Sequence, residues 1–519
     1  MASAAAAAAD DFRPEISITP LNRALLTVAV MGASIIQILD STIANVALPH
    51  MQNSLGASLD TVTWVLTSYI IASAIAMPIT GWLADRIGCR QLFLISVGGF
   101  VLASMLCGLA TSLEEMVAFR VLQGISGAFI APLAQTVMLD INPPERHARA
   151  MAIWGMGIMI GPIMGPIIGG WLTENYSWRW CFYVNVPIGA ATIAALWALL
   201  PEKPVFRRKF DHLGFWALAV GLGSLQLLLD RGTQLDWFDS WEIRIETAIA
   251  IAAFWVFAVQ MATSKTALFA KEMLTNRSFA TSLFFMIVIG VVMFANMALL
   301  PPMMQNLYGY PVIDTGLLLA PRGVGILLSM AVAGRLVGKV DARLLVGTGF
   351  SIAAFSMWQM SQWSMEMDWR PFVVSGLVQG MGMGLVFIPL NTLAFASLPP
   401  HLRTDGSSLL NLFRSIGASV GISVASAFLG RNIQTSHSDL ASHLTGSTIN
   451  NIDASTADRF QGLGDQALMM VDALVNKQAA MIAYLNDYWA MMWITIAVIP
   501  LVLLLQKPKP GAEAAPLME

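Results

Sequence analysis

The chain has 519 residues, 56% of them hydrophobic and only 12% charged, with a formal net charge of −3. Soluble domains carry about 25% charged residues and no soluble core absorbs this much apolar surface, so an ordinary soluble protein is excluded and the bilayer is the solvent. Nucleic acid is not among the expected partners, and three cysteines at unrelated spacings, Cys89, Cys107 and Cys181, give neither a disulfide framework nor a metal site.

A helix crossing ~30 Å of hydrocarbon needs about 20 mostly apolar residues. Apolar windows between polar punctuation predict fourteen such helices, over 22–48, 61–83, 91–110, 115–139, 148–172, 179–200, 211–230, 243–263, 278–304, 312–336, 343–362, 371–397, 404–430 and 480–505. The Ala-rich run from Met1 to Asp11 lacks a basic n-region and a cleavage site, so the first helix is expected to be an uncleaved anchor. An even count puts both termini on one side. Lys and Arg number 19 in the segments on that side and 7 in the opposite loops, so the positive-inside rule predicts cytoplasmic termini.

In the first helix, Asp40 stands about 18 residues in, roughly 27 Å along at 1.5 Å per residue, as the one carboxylate read as lying well inside a span. Its charge costs at least ~2.5–3.5 kcal/mol there, so it should face the interior and exchange a proton readily. Gly81-Trp82-Leu83-Ala84-Asp85-Arg86-Ile87-Gly88-Cys89-Arg90 closes the second helix and turns into the third. Gly81 and Gly88 permit close approach and a tight turn, and Asp85 can accept from a neighbouring Arg or a helix N-terminus. Arg120, in the fourth helix, reaches a depth comparable to Asp40 and is its candidate partner. The fifth helix carries Gly157, Gly161-Pro162 and Gly165-Pro166, small residues and prolines that suit close packing and a bend, and a kinked interface between halves is expected. Candidate residues of a substrate path are the intramembrane polar groups Gln37, Asn45, Gln123, Gln135, Gln379, Asn391, Asn411 and Arg414; Asn296 is a further polar group and Arg322 a further mid-span charge without an assigned role. The polar segment 431–477 is expected to be an external loop, with Ala467–Ala480 a short helix resting on the membrane.

The chain repeats itself. Asn142-Pro143-Pro144-Glu145 recurs 256 residues later as Leu398-Pro399-Pro400-His401, Gln123-Gly124 falls on Gln379-Gly380, and Gly81-Trp82-Leu83 and Arg90 fall on Gly334-Arg335-Leu336 and Arg343 at an offset of 253. Gly376 takes the place of Arg120 and Gly338 that of Asp85, so the charge chemistry is expected in the N-terminal half and a weaker latch in the other. The predicted fold is an all-α integral membrane protein of fourteen helices arranged 6 + 2 + 6. It has a tail 1–21, a bundle 22–200, a linker 201–277 with two additional helices, a bundle 278–505 and a tail 506–519.

Parallel six-helix halves are the plan of the major facilitator superfamily. Leu39-Asp40-Ser41-Thr42 through Pro49 resembles the first-helix signature of its fourteen-helix drug:proton antiporters. The 81–90 segment is similar to the superfamily's loop motif, Arg120 with Gln123-Gly124 to its fourth-helix motif, and the fifth-helix glycines and prolines to its antiporter motif. Trp178-Arg179-Trp180-Cys181-Phe182, Asn185-Val186-Pro187-Ile188-Gly189, Leu229-Asp230-Arg231-Gly232 and Asp236-Trp237-Phe238 look like the EmrB branch. The resemblance implies proton-coupled multidrug efflux from the bacterial inner membrane, with no cofactor beyond protons. It assigns Asp40 and Arg120 to proton coupling and Gly81, Asp85, Arg86, Gly88 and Arg90 to a cytoplasmic gate. It also implies a periplasmic membrane fusion adaptor protein and an outer-membrane channel as partners. A dedicated exporter of one metabolite, fatty acid or siderophore is the alternative, with a non-transporting membrane sensor or scaffold as a further one. No GxxxxGK[ST] loop, metal-ligand spacing or nucleophile–base pair points to an ATPase or an enzyme.

Overall fold

The computed structural model describes residues 19–202, 204–206, 208–264, 266–443 and 465–505; most of the tail 1–21, the tail 506–519 and the middle of the 431–477 segment lie outside the described residues. Thirteen helices are long and apolar enough to cross a membrane. In chain order they are α1 (Pro20–Leu55), α2 (Trp64–Ile87), α3 (Cys89–Leu109), α4 (Leu113–Asp140), α5 (Pro144–Asn175), α6 (Trp180–Leu199), α7 (His212–Arg231), α8 (Trp241–Thr263), α9 (Arg277–Asn306) and α10 (Val312–Leu336), then α12 (Arg370–Ala396), α13 (Pro400–Ser442) and α14 (Met469–Leu504). Helix α11 (Ala342–Met360), with 19 residues, completes the fourteen. It carries Thr348, Ser351, Ser356 and Gln359, and Ser356 Oγ donates to the Ser375 carbonyl of α12 at 2.7 Å.

Helices α1 to α6 pack into one bundle, α9 to α14 into a second, and α7 and α8 pair with each other. The glycine row of α5 faces α1 of its own bundle: Cβ atoms added at Gly157, Gly161 and Gly165 would meet Met31, Ile38 and Thr42 at 2.3, 2.9 and 2.1 Å. Helix α5 does lie at the interface between halves, but these three glycines are not the residues that face it. The seam uses the other face of α5, where Ile163 and Ile167 fill the space over Gly323 and Gly316 of α10. A bend is present: regular α-helix runs over His147–Ile158 and again over Ile160–Asn175, because Pro162 and Pro166 have no N–H to return to the preceding turn.

At the described ends of the 431–477 segment, helix takes the place of the expected loop and short surface helix. Helix α13 continues to Ser442, and helix resumes at Asp465 and runs unbroken into α14. At 43 and 36 residues these helices are about 65 and 54 Å long, well beyond the ~30 Å hydrocarbon core, so they project as a hairpin. His437 Nε2 and Asp472 Oδ1, 3.3 Å apart, tie the two arms. Polar side chains that read as loop are compatible with helix outside the bilayer, where water satisfies them.

Helix α7 touches both bundles. Thr67 of α2 donates to Asp230 of α7, while Ser419 and Ser423 of α13 donate to Gln226 Oε1 and the Leu229 carbonyl at 2.8 and 2.6 Å.

Candidate functional site

Asp40 and Arg120 meet. Arg120 Nη1 lies 2.6 Å from Asp40 Oδ2, and both side chains are about 1% exposed. Asp40 Oδ1 accepts from Gln123 Nε2 and from Asn185 Nδ2, each at 2.8 Å. All three partners are donors, which suits a carboxylate acceptor. Arg120 is held independently of Asp40: Nε donates to the Val65 carbonyl at 2.9 Å, Nη1 also reaches Gln123 Oε1 at 2.7 Å, and the guanidinium sits 4.3 Å from the centre of the Tyr69 ring. If a proton arrives at Asp40, the cation therefore keeps partners.

Local structure explains the convergence of five helices. Gly124 lets α4 approach α2 so closely that an added Cβ would stand 2.5 Å from the Tyr69 carbonyl, which seats Arg120, one turn earlier, over the Tyr69 ring. In α6 the helix breaks at Val184, between Trp180–Tyr183 and Asn185–Leu199. Pro187 has no N–H to give the Tyr183 carbonyl. The neighbouring Phe182 carbonyl accepts from Ser104 Oγ at 2.9 Å, and the same Ser104 oxygen accepts from Asn185 Nδ2 at 3.0 Å. Asn185, Tyr69 and Ser104 were not singled out from the sequence as site residues; Asn185 stood inside a quoted signature, and a buried amide at a proline-broken helix start is the signal that could have found it. Cys107, expected to be an ordinary apolar residue, faces the cluster with Sγ 3.6 Å from Gln123 Oε1.

A second assembly lies on the face that carries the basic loops. Arg208, in the segment between α6 and α7, donates to both carboxylate oxygens of Asp405 of α13 at 2.8 and 2.9 Å, with Nε 3.2 Å from Asp85 Oδ2. One arginine from the linker thus clasps one carboxylate from each bundle. Burial pulls its pKa down, but Asp405 and Asp85 outweigh that and leave it above the ordinary value. Arg86 stacks on Trp82 at 5.1 Å, and Trp82 Nε1 donates to the Arg208 carbonyl at 3.2 Å. Gly88, at φ +92°, turns the chain from α2 into α3. Arg90 turns away from this clasp, donating to Glu202 and to the Trp197 carbonyl. In the repeat copy, Gly334 abuts α5 of the first bundle, where an added Cβ would stand 2.8 Å from Ala152 Cβ; Asp341 caps its own helix at the Arg343 N–H (3.1 Å), and Arg343 Nε donates to the Leu505 carbonyl at 2.7 Å.

A Cβ on Gly81 would stand 1.7 Å from Asp405 Oδ1. Gly81→Val is therefore expected to force α2 and α13 apart on this face. Spin labels placed on the two helix ends should show the close-distance population falling roughly tenfold, a shift of about 1.4 kcal/mol, whereas Asp85→Asn, removing one half-exposed ion pair, should move it far less. Equal effects of the two substitutions would mean that charge, and not close approach, holds the clasp.

The substrate-path candidates do not form one group. Gln123 belongs to the Asp40 cluster. Gln135 accepts from Ser407 Oγ and from Asn411 Nδ2 (2.9 Å), joining the bundles, and Asn411 Oδ1 in turn accepts from Arg414 Nη2 at 2.9 Å. The Arg414 guanidinium lies 5.9 Å from the Phe387 ring centre. Asn391 donates back to the Phe387 carbonyl at 2.9 Å, while Gln37 keeps its Oε1 buried without a partner. Asn45 is exposed on α1. Gln379 is fully buried, apart from the Gln135–Arg414 chain. Asp40 is not the one intramembrane carboxylate, because Asp487 in α14 is also buried, at 2% exposure.

The Major Facilitator Superfamily profile matches residues 30–422. The chain belongs to the Major Facilitator Superfamily. It is 37% identical to the multidrug export protein EmrB of Haemophilus influenzae over 81% of this chain and 83% of that protein. Identity to Escherichia coli K12 EmrB is 34%, over 93% and 95%. The fatty acid resistance protein FarB of Neisseria gonorrhoeae is also 34% identical, over 93% and 96%. Among solved structures, the human organic anion transporter MFSD10 superposes with a TM-score of 0.58 at 13% identity, covering 92% of this chain and all of that one. A bacterial homologue of the lysosomal transporter Spinster, inward-facing and unoccupied, gives 0.56 at 18% identity, over 95% of this chain and all of that one. These likenesses establish the transporter fold, and the superfamily makes the chain a multi-pass membrane transporter and not an enzyme.

Proposed function

We propose that the protein is a proton-coupled exporter of hydrophobic or amphipathic compounds, seated in the cytoplasmic membrane with both termini in the cytoplasm. The observation that carries this reading is the buried Asp40–Arg120 pair, in which the carboxylate is bound by three donors and the arginine has other partners to fall back on. Protonation of Asp40 removes the charge that holds Arg120 Nη1 and loosens α1 from α4, and release of the proton restores the grip. The clasp of Asp85, Arg208 and Asp405, with Gln135 bonded to Ser407 and Asn411, closes the cytoplasmic side in this conformation. The substrate range follows the EmrB relatives, whose names give multidrug export.

The projecting α13–α14 hairpin is the surface we assign to a periplasmic adaptor, and through it to an outer-membrane channel. Its α14 arm leaves Met469, Met470 and Leu474 between 61% and 71% exposed, an apolar stripe beyond the bilayer.

The test is substrate-driven proton flux in proteoliposomes under an imposed pH gradient. Proton movement on adding a lipophilic cation or an uncoupler-like drug is the expected result; drug transport that ignores the gradient would remove proton coupling and leave the fold untouched. The similarity to FarB favours one second reading, export of a single class of fatty acid. Resistance confined to fatty acids, with none to unrelated toxic compounds, would select it.

A further inference from the structure

The repeat carries the Asp40 cluster into the second bundle with its charges rearranged. At the two offsets already found, Asp40 falls on Asn296, Gln123 on Gln379, Arg120 on Gly376, Cys107 on Met360 and Tyr69 on Arg322. The structure brings Arg322, Asn296, Met360 and Gly376 together, and Gln379 follows on the same helix, where an added Cβ on the next residue, Gly380, would lie 2.0 Å from the Arg322 carbonyl. Arg322 Nη1 is 3.3 Å from Asn296 Oδ1, Asn296 Nδ2 is 3.3 Å from Met360 Sδ, and an added Cβ on Gly376 would lie 3.6 Å from Arg322 Cβ. A guanidinium is thus present in both bundles, supplied by α4 in the first and by α10, from the tyrosine position, in the second.

What differs is the counter-charge. Arg120 faces a carboxylate; Arg322 faces a carboxamide, and among the described residues it forms no ion pair. Its partners are the long contact to Asn296 and the Met293 carbonyl at 3.1 Å, while Nε has none. Gln379 is fully buried and neither its amide nitrogen nor its oxygen has a partner, although its counterpart Gln123 uses both. Arg322 is 6% exposed. A buried cation with a spare donor, and on the helix packed against it a buried amide with a spare N–H, are donors that suit an anion. Glycine stands at 376 where the other bundle has an arginine side chain, so one guanidinium and not two is present here.

We infer that the second bundle binds a monovalent anion, a carboxylate or a halide, against Arg322, with Gln379 as a second donor. The anion supplies the negative charge that Asp40 supplies in the first bundle, so the two halves carry one fixed and one exchangeable counter-ion. A carboxylate there is the acid group of a transported compound; a halide is a resident ion. The site does not depend on proton coupling, and its test reads binding.

The purified full chain in neutral detergent is melted by tryptophan fluorescence in sodium chloride, sodium acetate or sodium hexanoate, each exchanged for sodium isethionate at constant ionic strength. The wild type should show a saturable rise of roughly 3–6 °C. Response to hexanoate and acetate alone marks a carboxylate site, and response to chloride as well marks a general anion site; both support the inference. Arg322→Gln should melt at or above the wild-type temperature in isethionate and gain nothing from any of the three. Gln379→Leu, which leaves the charge in place, should fold as the wild type and need several-fold more anion for the same rise. A wild type indifferent to all three anions, or an undiminished rise in both variants, overturns the site while leaving proton-driven export standing.

Discussion

Arg120→Leu is expected to lower the yield of folded protein by an order of magnitude or more, measured by size-exclusion profiles of the detergent-extracted chain. Removing one partner of a buried ion pair leaves the other charge uncompensated, at about 3–5 kcal/mol, a large part of the stability of an ordinary domain. Here the loss extends further, because Arg120 also ties Val65 and the Tyr69 ring of α2 to α4 and orients Gln123. Adding Asp40→Asn to the same chain should recover much of the yield by removing the stranded charge, without recovering proton-driven export. Recovery by the second substitution separates an electrostatic fault from a packing fault. Should Arg120→Leu alone fold and export like the wild type, the pair is neither a structural nor a coupling centre.

Asp40→Asn by itself should fold at reduced stability: the amide oxygen still accepts from Arg120, which keeps Val65, Gln123 and the Tyr69 ring, but the buried cation loses its counter-charge and the new amide nitrogen faces the Gln123 and Asn185 donors. Gradient-driven export should fall on the order of 100-fold, because the amide takes up no proton in the accessible range. Downhill exchange of labelled substrate across the same liposomes should survive, since opening and closing of the two bundles does not itself require net proton movement. A mutant that still concentrates substrate against its gradient at the expense of the pH difference would move the coupling group elsewhere, with Asp487 the next buried carboxylate to replace.

The parts of this architecture that were legible in the sequence are those set by the bilayer or by charge. Fourteen apolar windows, the repeat offsets and the isolated Asp40 and Arg120 each follow from the expense of placing polar atoms in hydrocarbon, and that expense leaves few alternatives. Arg208 was not legible: it is one of several basic residues in a loop, and the residue that gives it meaning, Asp405, lies 197 positions away. Tyr69 and Ser104 were lost for the opposite reason, being ordinary residues of apolar helices that matter through the groups they happen to face. Residues 431–442 misled because Ser, Thr, Asn and His suggest a coil, whereas pairing with the α14 arm sustains a helix there. The glycine row of α5 gave the right property, close approach, and the wrong neighbour, since spacing alone does not say which helix is approached.

Helix α7 makes the two flanks of the molecule unequal. On one flank α5 and α10 meet directly, glycine against isoleucine, with nothing between them. On the other, a helix belonging to neither bundle bonds to α2 through Asp230 and to α13 through Gln226 and Leu229. When the bundles tilt, the first flank can hinge about a greased seam, but the second must stretch or break hydrogen bonds whose ends would then face lipid. Motion is therefore steered toward pivoting about the α5–α10 line. A lipid-dissolved molecule approaching the α7 flank meets a polar-riveted wall, so sideways passage into the interior is disfavoured on that side.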